Sequence, residues 1–214
     1  LVGGDTTRGP LSVSVTLLGT VPRGRAVTRA GAQAGDDLWV AGVLGDAAAG
    51  LACVEGRLAA SARDRASLVR ALDRPQPPLA FGLSLRGVAS AMIDVSDGVY
   101  ADLSHVLRAS GLGATFDPSL LPASAVLHRV VPDISEREIM QCSGDDYTLL
   151  FTAPPLRARK VAAIAHHLGV RVSKIGAMHQ RKGLWRTDTG KSPRRIAASG
   201  FDHFATLSRA TVVR

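Results

Sequence analysis

The sequence contains few aromatic residues and few cysteines. Phe, Trp and Tyr make up only 4% of its 214 residues, so Ala, Val and Leu must fill most of the core. The two cysteines, Cys53 and Cys142, lie far apart, and there is no CxxC pair to indicate zinc or redox chemistry. This pattern predicts two reduced thiols in a cytoplasmic protein.

Long uncharged apolar runs are also lacking. No stretch approaches the roughly 18 residues of a membrane-spanning helix, and no secretory signal is visible. Hydrophobic residues make up 46% of the chain and charged residues 21%, which is typical of a packed globular domain. The sequence therefore predicts no membrane partner.

The net charge of +8 raises the possibility of a nucleic-acid partner. However, the cations are scattered, with modest clusters such as residues 157–160 and 194–195, and no basic run carries interleaved aromatics for base stacking. We therefore expect no nucleic-acid partner. A non-catalytic basic module that binds nucleic acid stays open as an alternative, and steeply salt-dependent DNA binding would support it.

Predicted strands alternate with predicted helices, which indicates an α/β or α+β sandwich. Alternating apolar and polar residues predict a half-buried strand over residues 11–19. A buried strand is predicted at residues 37–45, and further strands at residues 91–93, 113–117, 147–153, 170–178, 183–188 and 193–198. The last two are expected to form a terminal hairpin. Helical spacing predicts helices at residues 46–62, 63–74, 99–107, 135–142 and 154–169.

Three acidic clusters stand beside glycine, at residues 3–5, 94–98 and 143–146. Each could be an ordinary turn, because Asp-Gly and Gly-Asp pairs mark turns. Helix capping explains one of Ser96 and Asp97 but not Asp94, which ends an apolar strand and needs a cation or a donor. Together the clusters favour a hard cation such as Mg²⁺, which usually accompanies substrate phosphates.

A Gly-Lys-Ser triplet at residues 190–192 is not a P-loop. That motif needs a glycine five residues before Gly190, where this chain has Trp185. No Gly-x-Ser-x-Gly elbow is present either, so the sequence gives no support for nucleophilic hydrolysis.

Five ordered motifs resemble bacterial thiamine-monophosphate kinases, and the resemblance covers essentially the whole chain. They are GGDTTRGPLSVSVTLLG, TRAGAQAGDDLWVAGVLGDAAAGL, SAMIDVSDGVYADLSHVL, SGDDYTLLF and GFDHF. That family belongs to the superfamily of aminoimidazole-ribonucleotide synthetase and selenophosphate synthetase. The resemblance implies an α+β fold, with residues 26–214 forming a C-terminal α/β sandwich domain. Residues 1–25 would be a remnant of an N-terminal ATP- and metal-binding domain, including its last strand.

The resemblance also implies a reaction. ATP would donate its γ-phosphoryl group to thiamine monophosphate, giving thiamine diphosphate and ADP directly, with several Mg²⁺ ions. The alternative is another ATP-using member of the superfamily with a different acceptor. A cytoplasmic homodimer is implied, and because Leu1 is not a start methionine, we expect a missing N-terminal segment and an inactive chain on its own.

Site residues follow from the resemblance position by position. Those implied to contact ATP are Gly4, Asp5, Arg29 and Ser96. Those implied to bind Mg²⁺ are Asp5, Asp94 and Asp97. Asp145 and Phe201 are implied to bind the thiamine substrate. The chain departs from the family motif at Ser143, where the family has glycine, and at Thr148, where it has glutamate.

Overall fold

A computed structural model describes residues 3–4, 9–188 and 192–197 of the chain. Within these ranges the strands are β1 Asp37–Ala41, β2 Ala91–Val95, β3 Gly113–Phe116, β4 Thr148–Ala153, β5 Val172–His179, β6 Gly183–Arg186 and β7 Arg194–Ile196. The helices are α1 Asp46–Val54, α2 Ala62–Asp73, α3 Leu79–Ser84, α4 Val99–Ser110, α5 Ala125–Val130, α6 Ile134–Gln141 and α7 Ala158–His167. None of the helices in the described part is long and apolar enough to cross a bilayer.

The strands form one sheet in the order β2-β4-β1-β5-β3-β6-β7. The pairs are antiparallel, except that β3 runs parallel to β6. Strand β1 lies inside the sheet because β4 and β5 pair with its two sides. Most spatial neighbours are therefore far apart in sequence.

Helices cover both faces of the sheet, since successive side chains of a strand point to opposite faces. On β1, Leu38 and Val40 pack into a core that includes α4. The next residue after Val40 is Ala41, which packs with α3 and α7 on the other face. A third apolar cluster joins α1, α2 and α5. This arrangement confirms the predicted α+β sandwich.

The predicted strand over residues 11–19 is wrong for the described structure. No strand is assigned there, and Leu11, Leu17 and Leu18 are at least 90% exposed. A strand needs a neighbour to satisfy its backbone N–H and C=O groups, and none of the described strands pairs with these residues. Helices α3 and α5 were not predicted, whereas the hairpin of β6 and β7 is confirmed.

Candidate functional site

Two loops meet at one edge of the sheet. Strands β2 and β4 are antiparallel neighbours, and Val95 at the end of β2 pairs with Thr148 at the start of β4. The loop that leaves β2 therefore lies beside the loop that enters β4. The Asp145 N–H donates to the Ser96 carbonyl at 2.9 Å, and the Tyr147 N–H donates to the Val95 carbonyl at 2.8 Å. The structure thus brings two of the predicted site residues, Ser96 and Asp145, into direct contact.

The close approach of these loops depends on two glycines. Gly98 has φ 102° and Gly144 has φ 94°, values that side chains rarely tolerate. A Cβ on Gly98 would collide with the Cys142 carbonyl, and one on Gly144 would collide with the Ser96 carbonyl. Each loop therefore uses a glycine to let the other loop's backbone approach.

Two other residues of the second loop have left-handed backbones without being glycine. They are Asp145, with φ 62°, and Tyr147, with φ 48°. Such conformations are uncommon, especially for a bulky residue, and they concentrate at functional sites. The loop that enters β4 therefore has an unusual backbone at Asp145 and Tyr147.

Asp102 stabilises the loop that leaves β2. This residue lies in the first turn of α4 and is buried. Its Oδ2 accepts hydrogen bonds from the N–H groups of Ser96 at 3.0 Å and Asp97 at 3.1 Å. Burial raises the pKa of Asp102 to about 6, and the nearby Asp97 charge adds to the rise. Asp102 is visible in the sequence, but its role depends on hydrogen bonds that form only in the folded protein.

Asp146 holds the second loop against α1. Both of its carboxylate oxygens accept from the Gly45 N–H at 3.0 Å, and Gly45 precedes α1 in a left-handed conformation. Burial raises the pKa of Asp146 to about 8. Burial also raises the pKa of Asp46 in the first turn of α1, whose Oδ1 accepts from the Ser124 hydroxyl at 2.7 Å. Sequence analysis placed Asp146 in an acidic cluster but gave it no role, and it did not single out Asp46, which stands directly after Gly45.

A cavity of about 390 Å³ opens where the two loops meet α1 and α6. Three of the predicted residues, Ser96, Asp97 and Asp145, line it. The other lining residues are Ala48, Leu51, Arg57, Ile139, Met140, Ser143 and Tyr147. The cavity therefore combines two carboxylates and one guanidinium with an apolar wall, which suits a ligand that has both an apolar ring and polar groups.

The two departures from the family motif have separate explanations in the structure. Thr148 is buried, and its hydroxyl donates to the Ala41 carbonyl of β1. It therefore helps hold β4 against β1 and does not line the cavity. Ser143 does line the cavity, and its hydroxyl donates to the Ile139 carbonyl at 2.7 Å.

Asp94 is exposed at the end of β2. Among the described residues its carboxylate has no hydrogen bond or ion pair. Likewise, no three His, Cys, Asp or Glu side chains of the described ranges lie close enough together to hold a metal ion by themselves. An exposed Asp94, unpaired among the described residues and three positions before Asp97 in the chain, nevertheless fits Mg²⁺, which is usually held by one or two carboxylates together with substrate phosphates.

The remaining predicted residues are less well placed. Arg29 is exposed beside β2, since the preceding Thr28 carbonyl accepts from the Met92 N–H at 3.2 Å. Gly4 is exposed, and no heavy atom lies within 4 Å of a Cβ built on it. Asp5 and Phe201 lie outside the described residues.

Comparison with known proteins defines the class. Residues 33–186 match the family described as AIR synthase related protein, C-terminal domain. The chain belongs to this family.

Individual proteins that the chain resembles have more specific descriptions than the family. The chain is 44% identical over 209 residues to the thiamine-monophosphate kinase of Escherichia coli O157:H7, a match that covers 96% of this chain and 64% of that protein. The crystal structure of the thiamine-monophosphate kinase from Stenotrophomonas maltophilia K279a is 38% identical, with a TM-score of 0.73, and the match covers 78% of this chain and 54% of that one.

A third match is to AaThiL complexed with AMPPCP and TMP. It has 27% identity and a TM-score of 0.69, and it covers 83% of this chain and 54% of that one. The chain thus spans less than two thirds of the length of the proteins it matches.

Proposed function

We propose that the protein is an ATP-dependent kinase that transfers the γ-phosphoryl group of ATP to thiamine monophosphate, giving thiamine diphosphate and ADP. The observation that carries this proposal is the 44% identity to a thiamine-monophosphate kinase across 96% of the chain. A second observation supports it, because a neighbour of similar fold, AaThiL, was solved with AMPPCP and TMP.

Mg²⁺ would be held by Asp94 and Asp97, with Asp5 as a further ligand. Bound Mg²⁺ neutralises charge on phosphate oxygens, which lowers the repulsion between two anionic substrates. Gly4, Asp5, Arg29 and Ser96 would contact ATP. The other substrate-binding residues would be Asp145 and Phe201.

The chain's own contribution to such a transfer is positioning. Phosphoryl transfer asks the protein chiefly to align its reactants and to stabilise charge. Asp102 fixes the backbone of Ser96 and Asp97, and Asp146 ties the neighbouring loop to the start of α1. Buried Asp102 and half-buried Asp146 thus support the loops whose residues would touch substrate.

Three further proposals come from the same resemblance. The protein would act in the cytoplasm, would form a homodimer, and would have a domain boundary near residue 25. The exposure of residues 9–26 supports the boundary, because none of these residues belongs to the buried core of the sandwich.

The test uses the protein expressed from its natural reading frame, with ATP and Mg²⁺. Thiamine monophosphate, thiamine and selenide are offered as acceptors, and both ADP and thiamine diphosphate are measured. We expect thiamine diphosphate and ADP to form in equal amounts, and only when thiamine monophosphate is the acceptor. Faster ADP release with selenide would favour the alternative acceptor, and salt-dependent DNA binding without nucleotide binding would favour the nucleic-acid module.

A further inference from the structure

A second cavity lies away from the two loops. It has a volume of about 620 Å³ and opens between the C-terminal half of α4 and the strands β6 and β7. Helix α4 begins beside the first loop and has 12 residues, so at 1.5 Å per residue its two ends are about 18 Å apart. This cavity is therefore separate from the candidate kinase site.

The floor of the cavity is apolar and fixed. Leu107, Leu112 and Leu184 line it and also belong to the buried core beneath the sheet face that α4 covers. Ile196 of β7 lines it too and packs against the same core. These side chains offer an apolar surface that cannot withdraw without disturbing the core.

Three cations line the same cavity, namely Arg108, Lys182 and Arg195, and none of its described lining residues is acidic. No ion pair in the described part of the chain involves any of the three. The Arg108 side chain hydrogen-bonds to the His105 ring Nδ1, at 3.2 Å. By contrast, the neighbouring Arg194 pairs with Asp188 at 3.8 Å. The cavity thus carries positive charge that no acidic side chain in the described ranges pairs with.

One of these cations lies against a glycine. Gly183 has φ 107°, and a Cβ built on it would lie 2.8 Å from Nε of Arg195. The bare backbone at position 183 therefore leaves space that the exposed Arg195 side chain occupies beside β6. Arg195 in this position is one of the residues that line the cavity.

We propose that this cavity binds a small organic anion, with a phosphate or carboxylate group held by the cations and an aromatic or aliphatic body on the apolar floor. A concave site lined by one sign of charge concentrates counter-ions. Arginine forks match phosphate and carboxylate oxygens, and an apolar surface beside them favours a ligand body over water. The proposal goes beyond the kinase reaction and does not depend on it.

The probe is phenyl phosphate, compared with inorganic phosphate and with phenol by titration calorimetry in magnesium-free buffer. We expect phenyl phosphate to bind roughly tenfold more tightly than inorganic phosphate, because the ring adds apolar contact. Phenol alone should not bind measurably. The Kd for phenyl phosphate should rise with salt, since the charged groups are exposed.

Substitutions test whether phenyl phosphate binds in this cavity. Combining Arg108→Ala with Arg195→Ala should weaken phenyl phosphate binding by roughly tenfold or more. Arg194→Ala is the matched control, since it removes an arginine that does not line the cavity, and it should leave the Kd unchanged. Ala197→Glu adds a negative charge at an exposed lining position and should weaken binding without removing any core contact.

Four results would overturn the proposal. The first is no binding of phenyl phosphate at millimolar concentration. The second is equal weakening by Arg194→Ala and by the double substitution. The third is no weakening by Ala197→Glu. The fourth is displacement of phenyl phosphate by a non-hydrolysable ATP analogue, which would place it at the kinase site.

Discussion

At the level of single residues, the acids around the two loops divide into two kinds by their contacts. Asp102 and Asp146 are engaged with backbone N–H groups. Asp94 is exposed and has no partner among the described residues. The first kind shapes the loops, and the second kind is available to a ligand.

Asp94→Asn tests whether the exposed acid of the second kind binds a metal ion. It keeps the shape and a carbonyl oxygen but removes a negative charge. If Asp94 holds Mg²⁺, the protein expressed from its natural reading frame should lose most of its kcat, on the order of tenfold or more. Its Tm without metal should hold or rise, because one of several neighbouring negative charges is gone. Steady-state rates and thermal melts with and without Mg²⁺ measure both effects.

The control for Asp94→Asn is Asp73→Asn, which changes an exposed acid at the end of α2 and should leave kcat unchanged. If Asp94 were an ordinary capping acid, its substitution would lower stability by about 1 kcal/mol and keep activity. That outcome would contradict a metal-binding role.

The pH dependence of stability in Asp146→Asn tests an acid of the first kind, which shapes a loop. Burial raises the pKa of Asp146 to about 8 in the folded protein, against about 3.9 in an unfolded chain. Its contribution to stability is therefore full below about pH 4 and is lost as the pH rises towards 8. Asparagine does not titrate, so Asp146→Asn does not lose this contribution. Its free energy of unfolding, relative to that of the parent protein, should therefore increase as pH rises from 5 to 8, by up to about 1.4 kcal/mol per pH unit.

Urea unfolding of both proteins at several pH values gives this difference directly. A difference that stays constant, or that shrinks as pH rises, would mean that Asp146 is ionised in the fold across this range.

The sequence indicates some of these residues and not others. Ser96, Asp97 and Asp145 stand in acidic clusters that resemble thiamine-monophosphate kinase motifs, and the structure gathers them around one cavity. Their roles in binding ATP, Mg²⁺ and substrate stay predictions. The supporting roles of Asp102 and Asp146 could not be predicted, because they depend on hydrogen bonds across a loop that only the fold creates.

At the level of elements, prediction succeeded where a pattern was long or was punctuated by charge. Strand β2 and helix α4 were evident because an apolar run turns into helical spacing at Asp94–Gly98. Helices α3 and α5 have six residues each, which is less than two turns and too short to show a period. Residues 11–19 show the opposite failure, since their alternation is regular but no described strand pairs with them.

The two ends of α4 provide a matched pair of glycines. Gly111 ends the helix with φ 69°, and a Cβ there would meet no heavy atom within 4 Å. Gly98 precedes the helix, and a Cβ there would strike the Cys142 carbonyl. We expect Gly111→Ala to cost about 1 kcal/mol, and Gly98→Ala to cost about 3 kcal/mol or more because the loops must separate.

Urea unfolding measures both costs. Gly98→Ala should also weaken nucleotide binding, which Gly111→Ala should not. Equal losses of stability in the two variants would contradict the interlocking of the loops.

At the level of the whole molecule, the N-terminal segment differs from the sandwich in its exposure. Residues 9–20 are all exposed, including Leu11, Val13, Val15 and Leu17. Deleting residues 1–20 should therefore change the Tm by no more than about 2 °C, since surface changes cost little. It should also reduce self-association, because it removes an exposed apolar segment.

Thermal melts and light scattering of the two chains test these statements. A fall in Tm of more than about 5 °C would show that the segment contributes to the core, and the proposed domain boundary near residue 25 would then be wrong.

The strand order also has a consequence for synthesis on the ribosome. Strand β1 pairs with β4 and β5, and 107 residues separate Ala41 from Thr148. At ~5–20 residues per second, β1 emerges roughly 5–20 s before its first hydrogen-bonding partner. During that delay an apolar strand stands with both edges unpaired, so a chaperone that binds short extended segments has its natural target at Asp37–Ala41.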